Sequence, residues 1–196
     1  MNLTLVTAPL IEPVTLTEAK NHMRVELDED NTLIEGLIVA ARQHAERFLK
    51  RQLITATWKL ELDAFPANEI RVPLPPMQSS TEAFTMTVKY VNTEGTQTTW
   101  DSGEYDVDVR AEPGRIRPAY GYTWPSIRSQ MNAVEVNYQA GYGDAVTDVP
   151  EGIRLAIKIL VAHWYENRQV VSGLQTNTIP LGAESLLWQD RHCYTL

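Results

Sequence analysis

The feature that most constrains this chain is a strand, a glycine turn and a long apolar helix, which follow one another in residues 134–171. Apolar and polar side chains alternate from Val134 to Gln139, the pattern of a half-buried strand. Gly141 and Gly143 then predict a sharp turn, because glycine adopts backbone angles that are closed to other residues. The helix that follows is apolar on more than one face, so other elements must cover it on more than one side. Its apolar residues are Ile153, Leu155, Ile157, Ile159, Leu160, Val161, Ala162 and Trp164.

Two capping-box patterns predict where helices begin. Asp148 is followed three residues later by Glu151, and Pro150 suits a first helical turn, so a helix is predicted over residues 150–168. Thr15 and Glu18 have the same spacing and open a helical region over residues 15–52. An acidic string at residues 28–30 divides that region, and the second part, residues 31–51, repeats apolar side chains with the 3.6-residue period.

Between these helical regions, residues 55–140 read as β-structure. Trp58, Leu60 and Leu62 alternate with charged residues, and residues 93–95 form a hairpin turn ending in Gly95. Prolines at positions 73, 75 and 76 exclude a central strand from 73 to 77. The sequence therefore predicts the α+β class: a small helical bundle built from both ends of the chain, with an inserted antiparallel β-sheet. Residues 1–182 are predicted to form one domain and residues 183–196 a C-terminal docking tail.

Composition excludes several classes of function. The 196 residues carry a net charge of −8, so there is no overall basic footprint for nucleic acid. The one cysteine, Cys193, cannot form an internal disulfide and suits a reducing compartment. No apolar run approaches the roughly 18 residues that cross a bilayer, and residues 1–13 lack the features of a signal peptide. We expect an acidic protein that does not associate with membranes.

No pattern in the chain points to catalysis or to a bound cofactor or metal. His163 and Glu166 are three residues apart on a predicted helix, where they cap its end or, as an alternative, share a proton in a small hydrolase. Asp106 and Asp108 lie on one strand face, which is either a solvated surface or a place for a hard cation. The glycines at 141 and 143 lack the remaining residues of a nucleotide-binding loop. We therefore predict no enzyme, no cofactor and no metal site.

The start, the middle and the end of the chain each carry recognisable segments. The start reads PVTLTEAKNHMRVELDEDNTLIEGLIVAARQHAERFLKRQLITATWKLELDAFP, the middle contains IRVPLPPMQS, VKYVNTEG and PGRIRPAYGYTWP, and the end contains AGYGD and VPEGIRLAIKILVAHWYENRQVV. Together these segments resemble the head–tail connector (adaptor) family of tailed phages, including related adaptors of gene-transfer agents. The resemblance covers the chain from residue 13 to about residue 182. It implies a structural protein in the neck of a virion or phage-like particle, made in the bacterial cytoplasm.

The resemblance also implies partners. Identical subunits, twelve by this expectation, form a ring beneath the portal protein and join the capsid to a tail-side neck, stopper or tail-terminator protein. DNA passes through the ring without specific binding, and the net charge of −8 is compatible with a channel that does not hold phosphates. An alternative is a tail-completion or neck protein that binds the tail side rather than the portal.

The tail and one loop are too apolar to be explained by solvent exposure alone. We predict that the tail docks on the portal, although it can instead fold back on its own core; the docking residues are Leu186, Leu187, Trp188, Tyr194 and Leu196. Tyr122 and Trp124 are either subunit contacts or lids on the local core. The helix over residues 31–51, through Arg42 and Arg47, and the inserted sheet are also predicted to supply subunit contacts. Together with Lys50 and Arg51, these two arginines form a local basic patch that offers DNA phosphate an alternative site.

Overall fold

The computed structural model describes residues 1–167 and 180–193, which fold into two compact units. Unit 1 contains residues 1–9 and 55–142, and unit 2 contains residues 10–54 and 143–196. Unit 1 is built from β-strands and unit 2 from helices. The α+β class predicted from the sequence is confirmed.

Unit 1 contains two antiparallel sheets. The five-stranded sheet has the order β1-β2-β8-β4-β5, and the three-stranded sheet has the order β3-β7-β6. The strands are β1 (Asn2–Thr7), β2 (Ala56–Leu62), β3 (Ile70–Val72), β4 (Thr87–Val91), β5 (Gln97–Thr99), β6 (Tyr105–Asp108), β7 (Gly114–Pro118) and β8 (Val134–Ala140).

Strand β8 lies at the centre of the larger sheet because its alternate side chains are apolar and fully buried. Val134, Val136 and Tyr138 are inaccessible to solvent, and the Tyr138 hydroxyl donates a hydrogen bond of 3.0 Å to the carbonyl of Pro73. A buried hydroxyl needs such a partner, since an unpaired polar group costs about 1–3 kcal/mol. The alternation read from the sequence therefore identifies the core strand correctly.

Unit 2 contains four helices within the described residues, and each apolar face is covered by another helix. They are α1 (Leu16–Met23), α2 (Asn31–Leu49), α3 (Glu151–Glu166) and α4 (Leu181–Asp190). Ile34 and Ile38 of α2 are buried, as are Ile157 and Leu160 of α3. In the part of the chain that is described, no helix has both the length and the apolar character needed to cross a bilayer.

Both predicted helix starts agree with the structure to within one residue, but only one of the two predicted capping boxes is present. The Thr15 side chain accepts from the Glu18 amide at 3.2 Å while the Glu18 carboxylate accepts from the Thr15 amide at 2.9 Å, so this capping box is present. Asp148 does not cap α3: its carboxylate accepts instead from the Ala145 amide at 2.9 Å, within the turn that precedes the helix. Pro150 therefore stands at the N-cap, one position outside the helix.

Two elements of the structure are not predicted from the sequence. Strand β1 pairs with β2 along the edge of the larger sheet, although residues 1–13 give no clear strand pattern. The docking tail of residues 183–196, for which no helix was predicted, is helical as far as Asp190 as part of α4. Pro180 starts this helix at its N-cap, and Ala183 and Leu187, one turn apart, are buried, so packing outweighs the unfavourable helix propensity of Gly182.

Candidate interaction surfaces

The residues singled out for chemistry are engaged in structural contacts. Nδ1 of His163 lies 3.3 Å from the side-chain amide nitrogen of Asn167, which also donates to the His163 carbonyl at 2.8 Å, so the pair closes the end of α3. Among the described residues, no group of three or more histidines, cysteines or acids is arranged to hold a metal ion.

The strand face that carries Asp106 and Asp108 is an ion-paired surface. Arg115 donates to Asp108 at 2.6 Å, and this bond holds the pKa of the Asp108 carboxyl below its usual value. Arg117 lies 3.8 Å from Asp106, and Arg115 lies 3.7 Å from Glu69. The side chains border an open concavity of about 560 Å³. Arginines occupy the positions that a hard cation would need, so the structure favours a solvated, charged strand face.

The two aromatic residues of the loop after β7, Tyr122 and Trp124, have different surroundings. Trp124 stacks on Phe65 with ring centroids 4.7 Å apart and lies 5.4 Å from Trp100, so it is a lid on the core of unit 1. Tyr122 is 51% exposed, and Tyr120 beside it is fully exposed. Gly121, between the two tyrosines, has φ +87°, a backbone conformation that glycine adopts at little steric cost. Tyr122 therefore presents more surface to a partner than the half-buried Trp124.

Arg42 is occupied inside unit 2. Its guanidinium donates to Glu12 and to Glu46, both at 2.7 Å, and the residue is only 8% exposed. Burial by itself would lower the pKa of Arg42, but the two carboxylates outweigh burial and raise it. Glu46 also accepts from the Gln52 side chain at 2.7 Å and from the Leu53 amide at 3.2 Å. This network joins α2 to Glu12, which precedes α1, and to Gln52 and Leu53, which follow α2. Arg42 therefore has little surface left for a neighbouring subunit. Arg47, by contrast, is exposed.

Helix α4 is held on unit 2 by its own contacts. Leu187 is 1% exposed, so this predicted docking residue is part of the core in the described structure, and Leu186 is half-buried. Arg51 donates to the Asp190 carbonyl at 2.7 Å, and the His192 amide donates to the Leu49 carbonyl at 2.9 Å. The second bond satisfies a carbonyl at the C-terminal end of α2, which has no partner inside its own helix.

An aromatic and cationic cluster lies where α4 meets α2. The Trp188 ring packs edge-on against Phe48 at 5.5 Å, and the Arg191 guanidinium carbon lies 4.4 Å from the centre of the Trp188 ring. Trp188 nevertheless remains 51% exposed. Two further predicted docking residues, Tyr194 and Leu196, lie outside the described residues. Local sequence patterns do not predict this cluster, because Phe48 lies about 140 positions before Trp188 and Arg191.

Comparison with known proteins agrees with the fold and with the predicted resemblance. Residues 13–100 match the sequence model of a family described as phage gp6-like head-tail connector protein. The predicted resemblance to head–tail connectors is thereby confirmed over α1, α2 and the strands β2 to β5. No curated protein sequence matches the chain.

Solved structures share the fold over the whole chain. A chain from the virion of a native gene transfer agent (GTA) particle is 22% identical, with a TM-score of 0.80. A chain from the neck of an empty GTA particle, computed with C6 symmetry, is 22% identical with a TM-score of 0.77. A chain from the neck of a native GTA particle, computed with C12 symmetry, is 24% identical with a TM-score of 0.73. Each alignment covers 100% of this chain and 98% of the other.

Proposed function

We propose that this chain is a structural connector (adaptor) subunit in the neck of a tailed phage or phage-like particle. Its copies form a ring beneath the portal, join the capsid to the tail and leave a channel for DNA. The observation that carries the proposal is the family match over residues 13–100 combined with a fold shared along the full length of chains from gene transfer agent particles, two of them from the neck. The proposed role is mechanical and requires no catalytic residues.

The ring is supported by the symmetry of the similar structures. One of the similar necks was computed with C12 symmetry and another with C6 symmetry, so a twelve-membered ring is the stoichiometry we propose here. Such a ring uses heterologous contacts, in which one patch of a subunit meets a different patch of its neighbour. Exposed Tyr122 and Arg47 are the two predicted interface residues that have surface available for such contacts.

The contact with the portal is assigned to the C-terminal segment. Trp188 carries this assignment because it is large, half-exposed and fixed in place by Phe48 and Arg191. A tryptophan that is already ordered loses little conformational freedom on binding, and tryptophan is enriched among residues that dominate interface energy. We place the ring on the portal side on this basis, with the tail-side neck, stopper or tail-terminator protein below it.

The acidic character of the chain is compatible with a channel for DNA. Each subunit has a net charge of −8, and twelve subunits multiply that charge. Cationic side chains that neutralise phosphates release counterions and retain the duplex, whereas an acidic lumen lacks this sequence-independent attraction. DNA is therefore expected to slide through the ring.

A pull-down with two baits tests the portal-side position. The full chain is mixed separately with purified portal and with purified tail-tube or stopper protein, and bound material is quantified. We expect retention on the portal and a loss of at least about tenfold in affinity for Trp188→Ala, the range of an interface hot spot. Tyr120→Ala, which removes a fully exposed aromatic side chain of unit 1, is the control and retains binding. Retention on the tail-side bait alone would establish the alternative, a tail-completion protein.

A further inference from the structure

The five-stranded sheet of unit 1 has two outer edges, one formed by β1 and the other by β5. Among the described residues, no strand pairs with the outer side of either one. The outer side of an edge strand presents backbone amides and carbonyls that have no partner in the sheet. Each of these edges can therefore accept a strand from another chain.

Neither edge carries the charged side chains by which natural proteins prevent unwanted strand pairing. Residues 1–11 contain no charged side chain, and neither do residues 95–100. The edges of the smaller sheet of the same unit differ, because Arg71 lies on β3 and Asp106 and Asp108 lie on β6. This contrast within one unit indicates that β1 and β5 are edges which a partner covers.

Strand β1 also leaves part of the apolar face of the sheet uncovered. Leu3 lies opposite the buried Leu60 and packs against the core of unit 1. Leu5, two residues further along the same face, is 44% exposed. A strand added beside β1 would shield Leu5 and bond the open backbone groups. The register shift after Leu5 limits the regular part of β1 to residues 2–5, close to the three-residue length of β5.

We propose that the outer edge of β1 pairs with the outer edge of β5 from a neighbouring copy of this chain. Each neighbouring pair in the sheet is antiparallel, so β1 and β5, the first and fifth strands in the order, run in the same direction. The new pair is therefore parallel. The contact is heterologous and can continue from copy to copy until it closes a ring. The inference rests on the ring proposed above and specifies two surfaces that close it.

The register of the sheet aligns Asn2 of β1 with Thr99 of β5. Asn2 lies opposite Glu61, and Glu61 lies opposite Glu135. Glu135 lies opposite Lys89, and Lys89 lies opposite Thr99. Asn2 and Thr99 therefore share one face of the sheet, at the two ends of a single row. Within one subunit they are four strand spacings apart, about 19 Å, whereas the proposed contact places them on adjacent strands.

Cross-linking of introduced cysteines tests this contact. In full chains that carry Cys193→Ser, Asn2→Cys and Thr99→Cys are introduced singly and together. A thiol cross-linker about 8 Å long spans adjacent strands, even with an offset of two residues, but does not span the sheet of one subunit. It is applied to each chain alone and after mixing with a purified cysteine-free portal. We expect the double variant to give a ladder of covalent multimers on a denaturing gel and each single variant to stay monomeric.

A lysine placed on the edge provides an independent test. Leu5→Lys, added to the double-cysteine chain, should lower the yield of the ladder at least about fivefold, because an edge lysine disfavours pairing. Val107→Lys is the matched control, since Val107 is 37% exposed on β6, an edge strand of the smaller sheet. It should leave the yield within about twofold. The melting temperature of both variants is recorded, so that a loss of folding is recognised.

Three outcomes would overturn the inference. The first is a double variant that stays monomeric both with and without the portal. The second is a dimer from Asn2→Cys alone, which would show β1 pairing with β1 in an isologous contact that cannot continue around a ring. The third is an equal loss of the ladder in Leu5→Lys and Val107→Lys. Binding to the portal is scored separately by pull-down, so a chain that binds without forming the ladder retains the proposed function and lacks only this contact.

Discussion

Replacing Arg42 by methionine provides a direct test of the buried charge network of unit 2. Methionine preserves much of the aliphatic volume and removes the guanidinium that Glu12 and Glu46 share. The Glu46 side chain is only 14% exposed, so the variant leaves a buried carboxylate without its counter-charge. Breaking a buried pair in this way costs about 3–5 kcal/mol, and partial exposure of Glu12 places the expected loss near 3 kcal/mol. For a chain of this size, the melting temperature falls by about 6–12 °C.

The pH dependence of that loss identifies its cause. Burial raises the pKa of Glu46 even with Arg42 present, and removing Arg42 raises it further. A carboxyl whose folded pKa lies above its unfolded value destabilises the fold increasingly as pH rises through the folded pKa. The deficit of Arg42→Met should therefore be largest at pH 7 and shrink toward pH 5. Thermal unfolding followed by far-ultraviolet circular dichroism measures both values.

A second substitution in the same network provides the control. In Arg42→Met/Glu46→Gln, the glutamine carbonyl still accepts from the Leu53 amide and no buried charge remains, so stability should return to within about 1 kcal/mol of the natural chain. A double variant as unstable as Arg42→Met alone would refute the reasoning. The same conclusion would follow from a deficit that is equal at pH 5 and pH 7.

Three further substitutions test local packing and capping. Gly36→Ala should raise stability by about 0.5–1 kcal/mol in chemical denaturation, because a methyl group meets nothing within 4 Å on this exposed turn of α2. Gly114→Ala should instead lower it by about 1–3 kcal/mol, since the new methyl would lie 2.6 Å from the Met77 sulfur; a neutral result would show that the core of unit 1 yields there. Thr15→Ala should remove about 1 kcal/mol with the capping box. Burial alone would raise the pKa of Glu18, but the hydrogen bonds with Thr15 and the charge of Arg154 outweigh burial and lower it. The stabilisation that ionised Glu18 supplies should therefore be lost as pH falls below about 4.5.

The position of α4 changes how the docking tail should be tested. Deleting residues 183–196 removes Ala183 and Leu187 from the core and exposes apolar surface of unit 2. A truncated chain that fails to bind the portal would therefore report lost stability as readily as a lost contact. Trp188→Ala avoids this difficulty, because half of its side chain already faces solvent.

The sequence predicted the parts of the fold that local patterns specify. Alternation identified β8, glycine at position 95 identified the β4–β5 hairpin, and the Thr15 capping box identified the start of α1. Each of these signals lies within a few residues of the structure it produces. Asp148 matched the same capping pattern, but its carboxylate accepts a hydrogen bond from the Ala145 amide instead of capping α3.

The parts that were missed depend on contacts between distant residues. Strand β1 exists because it pairs with β2 more than fifty residues away, and α4 exists because Leu187 is buried in unit 2. The docking of Arg191 on Phe48 and Trp188 has the same origin. A large apolar residue such as Trp124 can cover the core of its own subunit or contact a partner. The choice depends on how the chain packs, and residue spacing in one sequence does not reveal it.

Direct observation of the ring on the portal tests the central claim. The purified full-length chain is examined alone and after mixing with its portal, by light scattering and by negative-stain imaging with rotational averaging. The account predicts that the mixture contains a closed ring of twelve subunits seated on the portal, with an open centre. A chain that ignores the portal and assembles only with tail-side components would contradict it.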